Sequence, residues 1–269
     1  MSFSIAGKTA IVTGAATGIG RAIARQFAEA GANVMCADMD EEGLVSEFGD
    51  EAEAEDTAIK FYAGDLREKL TIANLLSATL DAFDGMDILV NASRQVLNSD
   101  PLCSEDDGIE SMLQQNLITS LRVTQAVAKK MIALAGERED KSQIGSIINL
   151  SSIAAHRTHP SLVGFSVASA ALEQMTRSMA VSLAPEGIRV NALACGSVMS
   201  TSLKTTLAEQ PDLRDRIIEA TPMGRIAPAS ELAEAAQFLA SGAAGFMTGQ
   251  VLTIDGGRTL TDNVASPAH

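Results

Sequence analysis

Apolar residues recur along this chain in short unbroken runs, separated by longer stretches of helical period. Residues 8–13 (KTAIVT) form one such run, closed by Gly14, and a run of this length bounded by a turn residue reads as a strand buried on both faces. A helix follows it. Ile19, Ile23 and Phe27 recur at intervals of four, on one helical face, and Gly31 supplies the stop. A second strand spans 33–37 and ends at Asp38. Later runs at 59–63, 87–91, 146–150, 188–193 and 250–254 each have a helical pattern before them. Short strands alternating with helices predict βαβ units with right-handed crossovers, an α/β doubly wound parallel sheet with helices on both faces.

No linker interrupts this alternation. The pattern predicts a single domain over residues 1–258, a loose tail over 259–269, and a solvated loop over the charged stretch 136–141. With no Trp and one Tyr, core volume has to come from aliphatic side chains, Met and eight Phe. The net charge of −14 argues against nucleic acid or an anionic membrane surface as partner, since both call for a basic patch. No run approaches the roughly 18 apolar residues of a membrane helix. No basic leader precedes an apolar run at the N-terminus, and Cys36, Cys103 and Cys195 are scattered without disulfide or zinc spacing. A reducing, cytoplasmic setting is the expectation.

The first segment with chemical content is Thr13-Gly14-Ala15-Ala16-Thr17-Gly18-Ile19-Gly20, where a strand stops and a helix starts. Glycines there let backbone approach a pyrophosphate, and free N–H groups with the helix dipole favour its charge, as in Rossmann-type folds. A tight βα turn without a ligand is the plainer alternative. Asp38 lies 24 residues after Gly14, close to the spacing of an acid that accepts both hydroxyls of an adenosine ribose. The same carboxylate would repel a 2′-phosphate, and Ala15, Ala16, Thr17 and Met39 offer no cation to offset it, so NAD is favoured over NADP. A helix cap is the alternative role for Asp38.

From about residue 4 to 258 the chain resembles the short-chain dehydrogenase/reductase family, through several motifs in order. Thr13 to Gly20 is similar to its cofactor turn, and Gly64-Asp65-Leu66 to the segment carrying its adenine-contacting Asp. Asn91-Ala92-Ser93-Arg94 stands where the family has N-N-A-G, and Asn116 falls on the Asn of its fourth helix. Ile148-Asn149-Leu150-Ser151-Ser152 matches the strand that carries the catalytic Ser, here Ser152. Ile188 to Ala192 and Gly249 to Gly257 match late strands, and Ala194 to Ser200 matches P-G-x-x-x-T, with Val198 and Ser200 where the carboxamide of the cofactor is met. The resemblance implies a seven-stranded sheet, a homodimer or homotetramer, and hydride exchange between NAD(H) and a small-molecule carbonyl or alcohol. The cofactor residues it implies are Gly14, Thr17, Gly18, Ile19, Gly20, Asp38, Asp65, Leu66, Asn91, Val198 and Ser200, with no metal.

The resemblance breaks at the family's Y-x-x-x-K motif. Thirteen residues beyond Ser152 stands Phe165, and four further on stands Ser169, in the frame Gly164-Phe165-Ser166-Val167-Ala168-Ser169. In the family, the Tyr gives or takes the proton as hydride moves, and the Lys ammonium lowers its pKa from near 10 while holding the ribose. Phe165 has no proton to give, and Ser169 carries no charge. Ser152 and Asn116 are either catalytic remnants or ordinary hydrogen-bonding residues. His156 and His159 could supply a proton near neutral pH, although a solvated role is commoner for loop histidines. A metal site formed by these histidines and Cys195 has no familiar spacing. Arg94, where the family has Gly, could meet a phosphate or an acidic ligand, but a solvent-facing or surface ion-paired cation is the commoner outcome. Three functions remain: an oxidoreductase with a substitute acid or a very slow reaction, a non-catalytic NAD-binding sensor, and a structural paralogue that co-assembles with an active relative.

Overall fold

The computed structural model describes residues 2–54, 57–103, 108–136 and 143–262. The chain opens with β1 (Thr9–Thr13), α1 (Gly18–Glu29), β2 (Asn33–Asp38), α2 (Glu41–Ala52), β3 (Ile59–Ala63), α3 (Lys69–Phe83) and β4 (Ile88–Asn91). After it come α4 (Ile109–Met112), α5 (Thr119–Ala135), β5 (Gly145–Ser152), α6 (Val163–Leu183) and β6 (Ile188–Cys195). The last part holds β7 (Val198–Met199), α7 (Thr201–Glu209), α8 (Leu213–Glu219), β8 (Ala227–Pro228), α9 (Ala229–Ala240) and β9 (Val251–Ile254).

Seven strands form one parallel sheet in the order β3-β2-β1-β4-β5-β6-β9. Side chains alternate across it. Ala10, Val12, Val34 and Val90 pack with Ile23 and Phe27 of α1, Phe48 of α2 and Leu232 of α9. Their neighbours Ile11, Met35 and Leu89 face the other side, against Leu75 of α3 and Val127 and Met131 of α5. That period of two, read with the helical period between strands, is why the apolar runs build one sheet and two helical layers. The winding direction reverses between β1 and β4, and in such sheets the crevice beyond the strand ends at the switch takes the ligand.

Strand positions agree with the pattern to within two residues. The instructive difference is that β5 and β6 each run two residues further than expected, pairing Ser151 with Ala194 and Ser152 with Cys195. This extension sets the two strand ends side by side at the crevice. The two-residue ladder between β7 and β8 is too short for any periodicity to announce it.

The chain also stays folded past residue 258, where a loose tail was expected. Arg258–Leu260 makes a 3-10 turn, and the N–H of Thr259 donates to Asp255 Oδ2 at 2.7 Å. Residues 263–269, and 137–142 of the expected solvated loop, lie outside the described residues. Burial pushes the Asp255 carboxyl up, but the donors from Thr259 and Gly257 and the nearby Arg258 outweigh it and hold it below the usual carboxylate range. A depressed carboxyl stabilises the fold above its unfolded pKa of about 3.9, and that contribution fades as pH falls through the folded value. Asp255→Asn is therefore expected to lower the melting temperature at pH 7. The gap from wild type should close below about pH 3 in thermal scans across pH.

Candidate functional site

β1 ends at Thr13, and the backbone reverses through Gly14 (φ +67°) and Gly18 (φ +59°) into α1. A Cβ on Gly14 would stand 2.7 Å from the backbone of Ser93, and one on Gly20 would stand 2.1 Å from the carbonyl oxygen of Gly14. Those two glycines are required by the turn packing on itself and on the end of β4. Thr17 caps α1 without a side-chain bond, and the N–H groups of Gly18, Ile19 and Gly20 have no protein acceptor among the described residues. Such donors at a helix start suit a diphosphate.

A groove of about 500 Å³ runs from Asp38 and Arg67, past this turn, to Arg94 and Ser200. Asp38 ends β2, and its carboxylate is pinned, Oδ2 accepting from the N–H of Ala16 at 3.0 Å and Oδ1 from that of Asp40 at 3.1 Å. Arg67 lines the same end, and no motif in the sequence marks it. Its guanidinium is committed to Asp65, with Nη2 at 2.6 Å from Oδ2, which holds the Asp65 carboxyl below its usual range. Asp65 thus sits beside the groove, and Leu66 is buried behind it. Asn91 is tied into the sheet instead of facing the groove, donating to Asn149 Oδ1 at 2.9 Å and to Thr124 Oγ1 at 3.0 Å. Val198 is buried in β7, and Ser200 lines the groove while its Oγ accepts from the N–H of Leu203 at the start of α7.

The other end of the site lies where β5 meets α6. Ser152 Oγ accepts from the N–H of Ala154 at 3.1 Å, and the residue lines a cavity of about 1000 Å³ with His156, His159, Phe165, Cys195 and Arg258. On α6, Phe165, Ser169, Glu173 and Arg177 recur every four residues and share a face. Ser169 turns back on its own helix, its Oγ donating to the carbonyl of Phe165 at 2.7 Å. Glu173 is almost fully buried at 1% exposure. Its Oε1 accepts from Ser151 Oγ at 3.2 Å, and its Oε2 lies 3.0 Å from His156 Nε2 and 3.6 Å from Arg177 Nη2. The i, i+4 spacing from Phe165 would have placed Glu173 at the site, had it been carried one turn further. His159 Nδ1 is 2.8 Å from Ser161 Oγ.

Asn116 lies in a π-helical turn, Leu113–Ile118, between α4 and α5. Its side chain clamps the loop after β4, accepting from the N–H of Gln95 and donating to the carbonyl of Gln95, both at 2.8 Å. Arg94 in that loop is half-buried and forms no ion pair among the described residues, where a solvent-facing or surface ion-paired cation was the commoner outcome expected for it. It folds inward, and Nη1 donates to the carbonyl of Ser151 at 3.3 Å and to Cys195 Sγ at 3.2 Å. The paired ends of β5 and β6 create this anchor, because they bring Ser151 and Cys195 together. Among the described residues, no cluster of three or more His, Cys, Asp or Glu is arranged to hold a metal ion.

A family model described as enoyl-(acyl carrier protein) reductase matches residues 14–259. The chain is 32% identical over 268 residues to the oxidoreductase UcpA of Escherichia coli (strain K12), covering 97% of this chain and 98% of that protein. Its fold superposes with a TM-score of 0.84 on a gluconate 5-dehydrogenase from Burkholderia cenocepacia J2315 in complex with NADP and tartrate, at 32% identity, covering 97% of this chain and 98% of the other. A 7α-hydroxysteroid dehydrogenase complexed with NADH and a 7-oxo bile acid matches with a TM-score of 0.85 at 27% identity, covering 95% and 96%. Seven parallel strands in this order, a glycine turn at the switch point and these full-length matches lead to one identification: the chain belongs to the short-chain dehydrogenase/reductase family.

Proposed function

We propose that the chain holds NAD(H) in the groove and lacks the ordinary carbonyl–alcohol chemistry of its relatives. The observation that carries this reading is the pair Phe165 and Ser169, a ring without a proton and a hydroxyl spent on the carbonyl of Phe165. Losing a positioned acid–base typically lowers a rate by about 10²- to 10⁴-fold. The groove still fits the cofactor. Free N–H groups of Gly18, Ile19 and Gly20 face the place for a diphosphate, Asp38 stands at the ribose end, and Ser200 closes the far end. When bound, the nicotinamide supplies or accepts a hydride; the protein supplies orientation and exclusion of water.

Asp38 supports NAD over NADP, because its carboxylate meets the place of a 2′-phosphate while Arg67, which lines the same groove, is already neutralised by Asp65. NADH is expected to bind at least about tenfold tighter than NADPH, a difference of ~1.4 kcal/mol. Calorimetric titration of the protein with each decides the point, and equal affinities remove Asp38 from the ribose site. Exposed Val167 and Val181 on α6 and Leu134 on α5 support a homodimer or homotetramer built through these helices. No helix among the described residues is long and apolar enough to cross a membrane. Together with three free cysteines, this supports a cytoplasmic location.

One observation favours a second reading. His156 faces the cavity and is oriented by the buried carboxylate of Glu173, the arrangement that makes an imidazole a usable acid or base. On this reading slow turnover persists, and His156→Ala removes it while leaving NADH affinity intact.

A further inference from the structure

Arg94 is a half-buried cation that forms no ion pair among the described residues. Two acceptors on different strands, the Ser151 carbonyl and Cys195 Sγ, anchor its Nη1. Nε and Nη2 make no protein hydrogen bond among the described residues. Its position is a junction. Arg94 lines the groove with Ser200, lines the narrow cleft between Phe165 and Ser169, and touches Cys195, which walls the large cavity. If the groove takes NAD(H) as proposed above, the ring has to reach this junction, because Ser152 and Phe165 border it.

We propose that Arg94 makes the groove selective for the reduced cofactor, so that occupancy reports the balance of NADH to NAD⁺ and not a turnover. The oxidised ring carries a positive charge, and the reduced ring is neutral. A guanidinium held at the ring's seat repels the first and packs its flat face on the second. Anchoring is what gives the charge its effect, because a free surface arginine would swing into water and be screened. The carboxylate nearest in this chain of contacts, Glu173, does not neutralise Arg94, being engaged by His156, Arg177 and the hydroxyl of Ser151. With the proton-transfer pair absent, a bound NADH is not consumed, which is what a reporter of redox balance needs.

The test is calorimetric titration of wild type and Arg94→Gly with NADH, NAD⁺ and ADP-ribose, which lacks the ring, at one ionic strength. Wild type is expected to bind NADH at least about tenfold tighter than NAD⁺, or ~1.4 kcal/mol. In Arg94→Gly the ratio should fall to within about threefold, mainly through tighter NAD⁺. Arg94→Gln, uncharged and nearly as long, should do the same if the glycine variant folds poorly. Equal binding of NADH and NAD⁺ by wild type overturns the selectivity and leaves the groove assignment standing. Tight ADP-ribose with both dinucleotides far weaker also overturns it, because Arg94 would then block the ring outright. If none of the three binds, the groove assignment fails and the selectivity with it.

Discussion

Phe165→Tyr combined with Ser169→Lys is expected to raise NADH-dependent carbonyl reduction at least about 100-fold above wild type, and neither single change should achieve it. Both positions lie on the same face of α6, one helical turn apart, with Phe165 on the cavity wall beside Ser152. A phenol alone titrates near pH 10 and donates slowly at neutral pH, so the tyrosine needs the ammonium to lower it. A lysine alone has no proton relay to serve. The gain should therefore be strongly non-additive. Arg94 shares the cleft with Ser169, so the introduced ammonium meets a guanidinium there. Adding Arg94→Gly relieves that repulsion, and the triple variant should turn over faster than the double. Steady-state assays on a panel of aldehydes, ketones and sugar alcohols read these rates. A double variant that folds and binds NADH yet stays inactive would mean that more of the site than the pair has changed.

Gly20→Ala is expected to destabilise the fold by about 2–4 kcal/mol, a loss of roughly 5–10 °C in melting temperature for a chain of this size. The cause is steric. The added Cβ would sit 2.1 Å from the carbonyl oxygen of Gly14; the first is fixed by its own backbone and the second belongs to backbone, so no rotamer change can separate them. Relief requires the turn and the first residues of α1 to separate, which also tilts the N–H groups of Gly18 and Ile19 away from the place proposed for a diphosphate. NADH affinity should fall more than 100-fold, about 2.7 kcal/mol. Gly49→Ala, in the last turn of α2, is the control: a Cβ there would come no closer than 3.4 Å, to the tip of Val45. It should be neutral or mildly stabilising, since alanine favours helix by up to about 1 kcal/mol. Thermal scans of the two variants separate the steric account from a general intolerance of alanine.

The sheet was legible in the sequence because its inner strands are runs buried on both faces and the half-buried edge strands β3 and β9 are still short apolar runs, a local pattern that the order of strands does not alter. The turn at Gly14 to Gly20 and Asp38 were legible for a similar reason, since spacing along βαβ units fixes where they fall. What stayed hidden depends on contacts between distant segments. Arg94 turns inward only because β5 and β6 extend to bring Ser151 and Cys195 together, 57 and 101 residues away along the chain. Asn116 acts as a clamp because Gln95 lies opposite it, and the π-helical turn that presents it has no periodicity of its own. Arg67 reaches the Asp38 end of the groove from the loop before α3, and its pairing with Asp65 decides its charge there. Glu173 is the exception: a local spacing from Phe165 marks it, although nothing local announces that His156 will be its partner.

The central claim is that the chain binds the nicotinamide cofactor but does not use it for ordinary hydride transfer. Stopped-flow fluorescence of NADH mixed with the wild-type protein and an excess of carbonyl compound tests both halves in one trace, since binding changes the emission and oxidation abolishes it. The account predicts a saturable binding phase followed by a flat signal, with turnover well below about 1 s⁻¹, beneath the ordinary range for enzymes. A steady decay faster than that, or no binding phase at all, would contradict it.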